Sequence, residues 1–303
     1  MPQLIEPREV KLTTRTGISV RRTIPHAKLK TIGAWCFVDH FGPTDQQDGM
    51  VVAAHPHTGL QTVTWMIEGV GEHRDSLGTI QNIAPGQLNL MTSGRGISHS
   101  EISVEHSGNM HAIQLWVALP DSARNMAPEF EHRDDLPVIE TENFRATVLV
   151  GEFMGETAKT KVHSSMLGVE IILRAEAKLS LPMTEGFEYG ILAVDGDVVV
   201  GGQQLNRSAI AYFNTDDALS GIELAAGSRA ARVLVLAGEP FTEHIVMWWN
   251  FIGRTHDEIV EQREMWNAHI DDAAARERFG VFEDRIGGWI PAPELPTVQL
   301  KPR

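Results

Sequence analysis

The 303-residue chain carries 26 Lys and Arg against 40 Asp and Glu, a formal net charge of -14. That balance opposes direct nucleic-acid binding, which needs clustered cationic side chains on phosphates, while the length suits about two domains. The single cysteine, Cys36, excludes an internal disulfide framework, and neither a signal-peptide pattern nor an apolar run of about 18 residues occurs, so the chain is expected to be cytoplasmic and free of the membrane.

From the N-terminus, TTRTGISVRRTI (residues 13–24) has the β-branched and turn content of two short strands. GAWCFVDHFGP follows as an apolar strand with Cys36 buried in it, ending at Asp39, His40 and the Gly42-Pro43 turn. Asp39 and His40 read as turn-holding groups rather than as chemistry. Residues 51–119 are strand and turn almost throughout. TVTWMI is β-rich, SLG and APG are turn signals, QLNLM alternates, and MHAIQLWVAL reads as a long buried strand. Short strands at this spacing favour a sandwich or barrel over βαβ units.

Two polar pairs bracket this region, His55 with His57 and His99 with Glu101. Each has i, i+2 spacing, which in a strand puts both side chains on one face. Two adjacent strands could thus bring three imidazoles and a carboxylate together. Such a set suits Fe(II), Mn, Co, Ni, Cu or Zn and is unlike the all-oxygen sets of Ca or Mg. The GxG at Gly94 and Gly96 lacks the helix and Lys-Ser/Thr of a phosphate loop; it is expected to let the strand bearing His99 approach closely. His73 and Asp75 share the i, i+2 spacing, but Arg74, Ser76 and Gly78 around them suggest a solvated hairpin edge. Ser98 and Ser100 have no GxSxG elbow, which argues against a serine hydrolase.

Residues 120–144 are polar, acidic and proline-bearing, a connector. Strands resume from FRATVLVG to SRAARVLVLAG, with Asp195-Gly196 as a hairpin signal. No HxH recurs in this half, where MTEGFEYGILAVDG has only Glu185 and Glu188, so one site per chain is expected. Trp248 and Trp249, adjacent in a strand, should point to opposite faces and serve core packing. Thr255 with Glu258 fits a capping box ahead of a helical run that Gly280 stops, and an extended tail follows.

HPHTGLQTVTW, HRDSLG and MTSGRGISHSE, with VDHFGP before them, resemble the motifs of the pirin family. The resemblance is densest over residues 33–119 and weaker across the second half. It implies an all-β bicupin, two stacked cupin-type β-barrels with a C-terminal helical segment: a metal-binding barrel over residues 1–135, and residues 136–303 as a barrel without metal plus helix and tail. It also implies His55, His57, His99 and Glu101 as ligands of one divalent transition metal, most readily Fe(II), with Mn, Co, Ni, Cu or Zn as alternatives. The implied activity is quercetin 2,3-dioxygenase chemistry, with O2 and a flavonol or other small aromatic as partners and Glu101 also able to act as general base. The other family role is a non-enzymatic, redox-responsive iron protein that meets a regulatory protein. A monomer is expected. The run MWWNFIGRTHDEI departs from the family's smaller-residue text, which leaves the role of Trp248 and Trp249 open, and the helical segment is expected to cover the second barrel or meet another chain.

Overall fold

The computed structural model describes residues 1–12, 19–44, 50–104, 109–218 and 221–302. Residues 13–18, the first half of the segment expected to form two strands, lie outside the described residues; the second half forms strand Ser19–Ile24. The chain is mainly β, with two compact units. One is built chiefly from Phe41–His132 and Thr242–Arg303, the other from Arg133–Phe241 with Met1–Val10 and Arg21–His40. A division at 135/136 therefore differs from the contacts in where the two termini belong.

In the first unit, strands Val51–His57, Ile97–Ser103, Gly71–Asp75 and Ile80–Ile83 form a four-stranded sheet in that order. Leu88–Thr92, Leu60–Glu68 and Met110–Ala118 lie side by side in a larger one. The long apolar run is a strand buried along its whole length, and TVTWMI and QLNLM are strands as read. Gly94, at φ +50, is packed so tightly that a Cβ would stand 2.1 Å from the Met126 carbonyl oxygen. At Gly96 a Cβ would stand 2.8 Å from the Arg278 carbonyl oxygen. This GxG does make a close approach, but to the connector and the C-terminal segment rather than to the strand bearing His55 and His57.

The second unit repeats the plan: a seven-stranded sheet centred on Glu188–Asp195, Ala231–Gly238 and Met166–Leu173, and a four-stranded sheet containing Ile222–Ala226 and Val198–Val200. One apolar core with side chains from both sheets, among them Val169, Ile191, Val198 and Leu224, joins them. In each unit the ladders of the large and small sheets remain separate, so these cupin-type domains are paired sheets rather than hydrogen-bonded closed barrels. Asp195-Gly196 is not a hairpin. Strand Glu188–Asp195 pairs in the large sheet and Val198–Val200 in the small one, so the left-handed Gly196, φ +76, turns the chain between sheets.

Strand Trp35–Thr44 runs past the expected turn. Asp39 there accepts two 2.7 Å hydrogen bonds from Arg22, and His40 Nδ1 lies 2.7 Å from Ser208 Oγ; these contacts keep both residues structural. Cys36 is fully buried.

The C-terminal segment returns to the first unit. Thr255 caps helix His256–Ala268 by accepting from Glu258 N at 3.2 Å, and Glu258 accepts from Arg254 N at 2.8 Å. A second helix, Ala273–Phe279, ends at Gly280, φ +69. It packs on strand Ile97–Ser103 of the first unit, where Ser98 Oγ donates to the Phe279 carbonyl oxygen, and its buried Phe279 joins an apolar cluster within the C-terminal segment, with Phe251, Ile259 and Trp266. No helix among the described residues is long and apolar enough to cross a membrane.

Candidate metal centre

The two i, i+2 pairs come from neighbouring antiparallel strands. His99 stands opposite His55 and Ile97 opposite His57, so the period of two places all three imidazoles on one face. Their ring centroids are 5.1 Å (His55–His57), 4.3 Å (His55–His99) and 5.0 Å (His57–His99) apart. One nitrogen from each lies within 4.8 Å of the other two. All three side chains are buried, with 7%, 2% and 1% of their surface exposed.

Burial depresses all three imidazoles. His55 falls to about 4, chiefly from desolvation, against a hydrogen bond to Ala53 O. His57 and His99 fall well below the usual histidine value, with desolvation first and the neighbouring imidazoles second. The rings are thus neutral near pH 7, each with one lone pair. His55 Nδ1 lies 2.9 Å from Ala53 O and donates to it, which leaves Nε2 as the lone-pair atom. His57 Nδ1 and His99 Nε2 are buried with no hydrogen-bond partner. Orphaned buried nitrogens are costly, and these two, beside the His55 ring with its open Nε2, make a donor set that a transition metal would satisfy. The residues fit such an ion.

Glu101 is placed differently from the simple pair picture. The register slips between His99 and Glu101, which stands opposite Val52. This bulge re-aims the half-buried carboxylate toward Thr64, whose hydroxyl is 3.3 Å away. Glu101 groups at ligand spacing with His99 and His73, while the four expected ligands do not form a single set at 4.8 Å. Its carboxyl is pushed up by burial, against the pull of His73 and hydrogen bonds from Thr64 and Gln114. Both ligand-spaced sets are in the first domain.

His73 and Asp75 are not a solvated edge. They are 4% and 1% exposed, and His73 Nε2 lies 3.1 Å from Asp75 Oδ2. In register, Asp75 faces His99 and His73 faces Glu101. The signal in the sequence was the HxD spacing itself, because Arg74 between them points the other way and pairs with Glu72 at 2.8 Å. Apolar rings close the surroundings: Trp116 meets His57 edge-on at 5.1 Å, and Phe130 stacks on His73 at 4.6 Å. Trp248 ends strand Val246–Trp248, but Trp249 sits beyond it at φ +51. That turn brings both indoles onto the C-terminal apolar cluster rather than to opposite faces.

The family model described as Pirin matches residues 17–117, and the Pirin C-terminal cupin domain matches residues 168–270. A Pseudomonas aeruginosa protein bearing the provisional name quercetin 2,3-dioxygenase is 42% identical, over 92% of this chain and 87% of its own. Pirin of Mus musculus is 31% identical, over 80% of this chain and 84% of its own. The crystal structure of quercetin 2,3-dioxygenase from Acinetobacter baumannii is 42% identical with TM-score 0.90, covering 98% of this chain and 96% of that one.

Proposed function

The chain belongs to the pirin family, and on that premise we propose that it is a metal-dependent oxidoreductase that opens flavonols such as quercetin with O2. The observation that carries the metal part is the buried trio His55, His57 and His99, with His57 Nδ1 and His99 Nε2 partnerless. The substrate part is supported by the names of the Pseudomonas and Acinetobacter relatives. We assign one divalent ion per chain, Fe(II) first, to His55, His57, His99 and Glu101; the same donors suit Mn, Co, Ni, Cu or Zn.

When bound, the ion supplies a Lewis acid for a flavonol oxygen and redox chemistry toward O2. The chain supplies the rest. Neutral imidazoles give the site nitrogen donors without added positive charge. Glu101, whose carboxyl burial raises, is a stronger base than an exposed carboxylate and takes the proton of the flavonol hydroxyl at Oε1 or Oε2. Thr64 and Gln114 orient that carboxylate. Trp116 and Phe130 set apolar faces against the imidazoles and exclude water.

The test is anaerobic loading with Fe(II), then addition of quercetin and O2, with O2 uptake and product analysis beside a metal-free control. Metal-dependent uptake with ring-opened product supports the reading. No turnover with any of Fe, Mn, Co, Ni or Cu sinks it for this substrate, and iron bound without turnover would favour the redox-responsive binding role.

A further inference from the structure

A polar chain runs into the imidazole trio from the side, and the metal-binding reading leaves it unused. Asp75 Oδ1 accepts from the backbone N–H groups of Leu77 at 2.9 Å and Thr79 at 3.1 Å, so the turn fixes this carboxylate. Its Oδ2 is 3.1 Å from His73 Nε2. His73 Nδ1 is 3.3 Å from His99 Nδ1. His99 Nε2, at the far end, has no partner. Phe130 lies nearly parallel to the His73 ring, 4.6 Å away at 23°, and holds its plane.

The chemistry of the first member fixes the others. A carboxylate only accepts, so His73 Nε2 carries the hydrogen. A neutral imidazole has one donor and one acceptor, so His73 Nδ1 accepts and His99 Nδ1 donates. His99 Nε2 is then a lone pair. Reversing the links places a hydrogen on that nitrogen and blocks ligation. We infer that Asp75 and His73 are positioning residues that set the tautomer and ring orientation of His99 and keep its Nε2 open to a metal ion. The inference rests on the metal-binding reading and is independent of flavonol turnover. His55 receives the same service from a backbone carbonyl, Ala53 O; His99 receives it from a side-chain relay ending in a carboxylate. His73 stands at ligand spacing from His99 and Glu101, yet both its nitrogens are engaged, which makes it a relay rather than a ligand.

The test uses the full chain with 15N-labelled histidine rings. Long-range 1H–15N correlation spectra of the metal-free and Zn(II)-loaded protein should show the Nε2–H form at His73 and the Nδ1–H form at His99. Zn(II) should then move the His99 Nε2 resonance and spare both His73 nitrogens. In chelator competition, Asp75→Asn and His73→Phe should each weaken Zn(II) binding about 10- to 100-fold while one ion still binds at saturation. An Nε2–H form at His99, a Zn(II) shift on a His73 nitrogen, or variant affinities within about twofold of wild type would each overturn the inference. Should Asp75→Asn disturb the turn, the wild-type spectra decide alone. Failure of wild type to bind Zn(II) would instead sink the metal-binding reading, with the metal-free tautomers still deciding the relay.

Discussion

Ser98 Oγ donates a 2.9 Å hydrogen bond to the carbonyl oxygen of Phe279, 181 residues further along the chain. Ser98 precedes His99, so in a strand it faces away from the imidazole trio. The final helix is therefore fastened to the back of the strand whose front carries the site. Phe279 is fully buried against Trp266 and Phe251. Phe279→Ala should cost about 3–5 kcal/mol and Ser98→Ala about 1 kcal/mol in urea unfolding. Both should loosen metal retention in proportion. Full stability of the Phe279 variant would mean the segment is a passenger.

Purified protein should hold about one transition metal per chain, and His57→Ala should weaken it by more than the roughly 100-fold ceiling for outer partners. Metal analysis after dialysis measures this. Wild-type stoichiometry in the variant would remove His57 from the ligand set.

The metal-free protein should lose stability as pH falls below neutrality. The folded His55 resists protonation down to about 4, whereas the unfolded side chain titrates near 6.5. The unfolded chain therefore binds the extra proton across that window, and stability falls with pH through it. His55 alone removes roughly 2 kcal/mol between pH 7 and pH 5. His57 and His99 act in the same sense. Glu101 acts oppositely, since its raised carboxyl gains a proton more readily when folded. Urea curves at pH 7 and pH 5 give the answer, and equal midpoints would contradict buried neutral imidazoles.

Gly94 and Gly86 separate crowding from backbone conformation. Both are left-handed, φ +50 and +80, but a Cβ at Gly94 would collide with Met126 O at 2.1 Å while at Gly86 nothing lies within 4 Å. Gly86→Ala should cost about 1–2 kcal/mol, the left-handed penalty alone. Gly94→Ala should cost about 3 kcal/mol or more, because the clash adds to it. Thermal unfolding of the pair measures the difference.

The site's legibility followed from strand periodicity. His55, His57 and His99 could be read because alternate residues share a face, and the trio is assembled in that way. Glu101 was harder, because a bulge between it and His99 is a property of pairing with Val51–His57 that no local spacing encodes. His73 and Asp75 were misjudged from their immediate neighbours. Arg74 and Ser76 suggested water, yet in a strand the informative neighbours are two away. Asp195-Gly196 has the composition of a hairpin, but the choice between returning along the same sheet and crossing to the next depends on partners far along the chain. The return of the C-terminal helices to the first domain is a similar case, since it rests on pairings such as Ser98 with Phe279 and Thr58 with Gln262, more than half the sequence apart.

That return has a consequence for biosynthesis. The residues of the second domain are complete before Thr242 emerges, whereas the domain bearing the imidazole trio needs both Phe41–His132 and the segment after Thr242. At about 5–20 residues per second, the ligand strands wait on the order of 10–30 s for the helices that cover their outer face. The second domain can therefore finish folding first, while the domain bearing the imidazole trio waits for that interval on its own last segment.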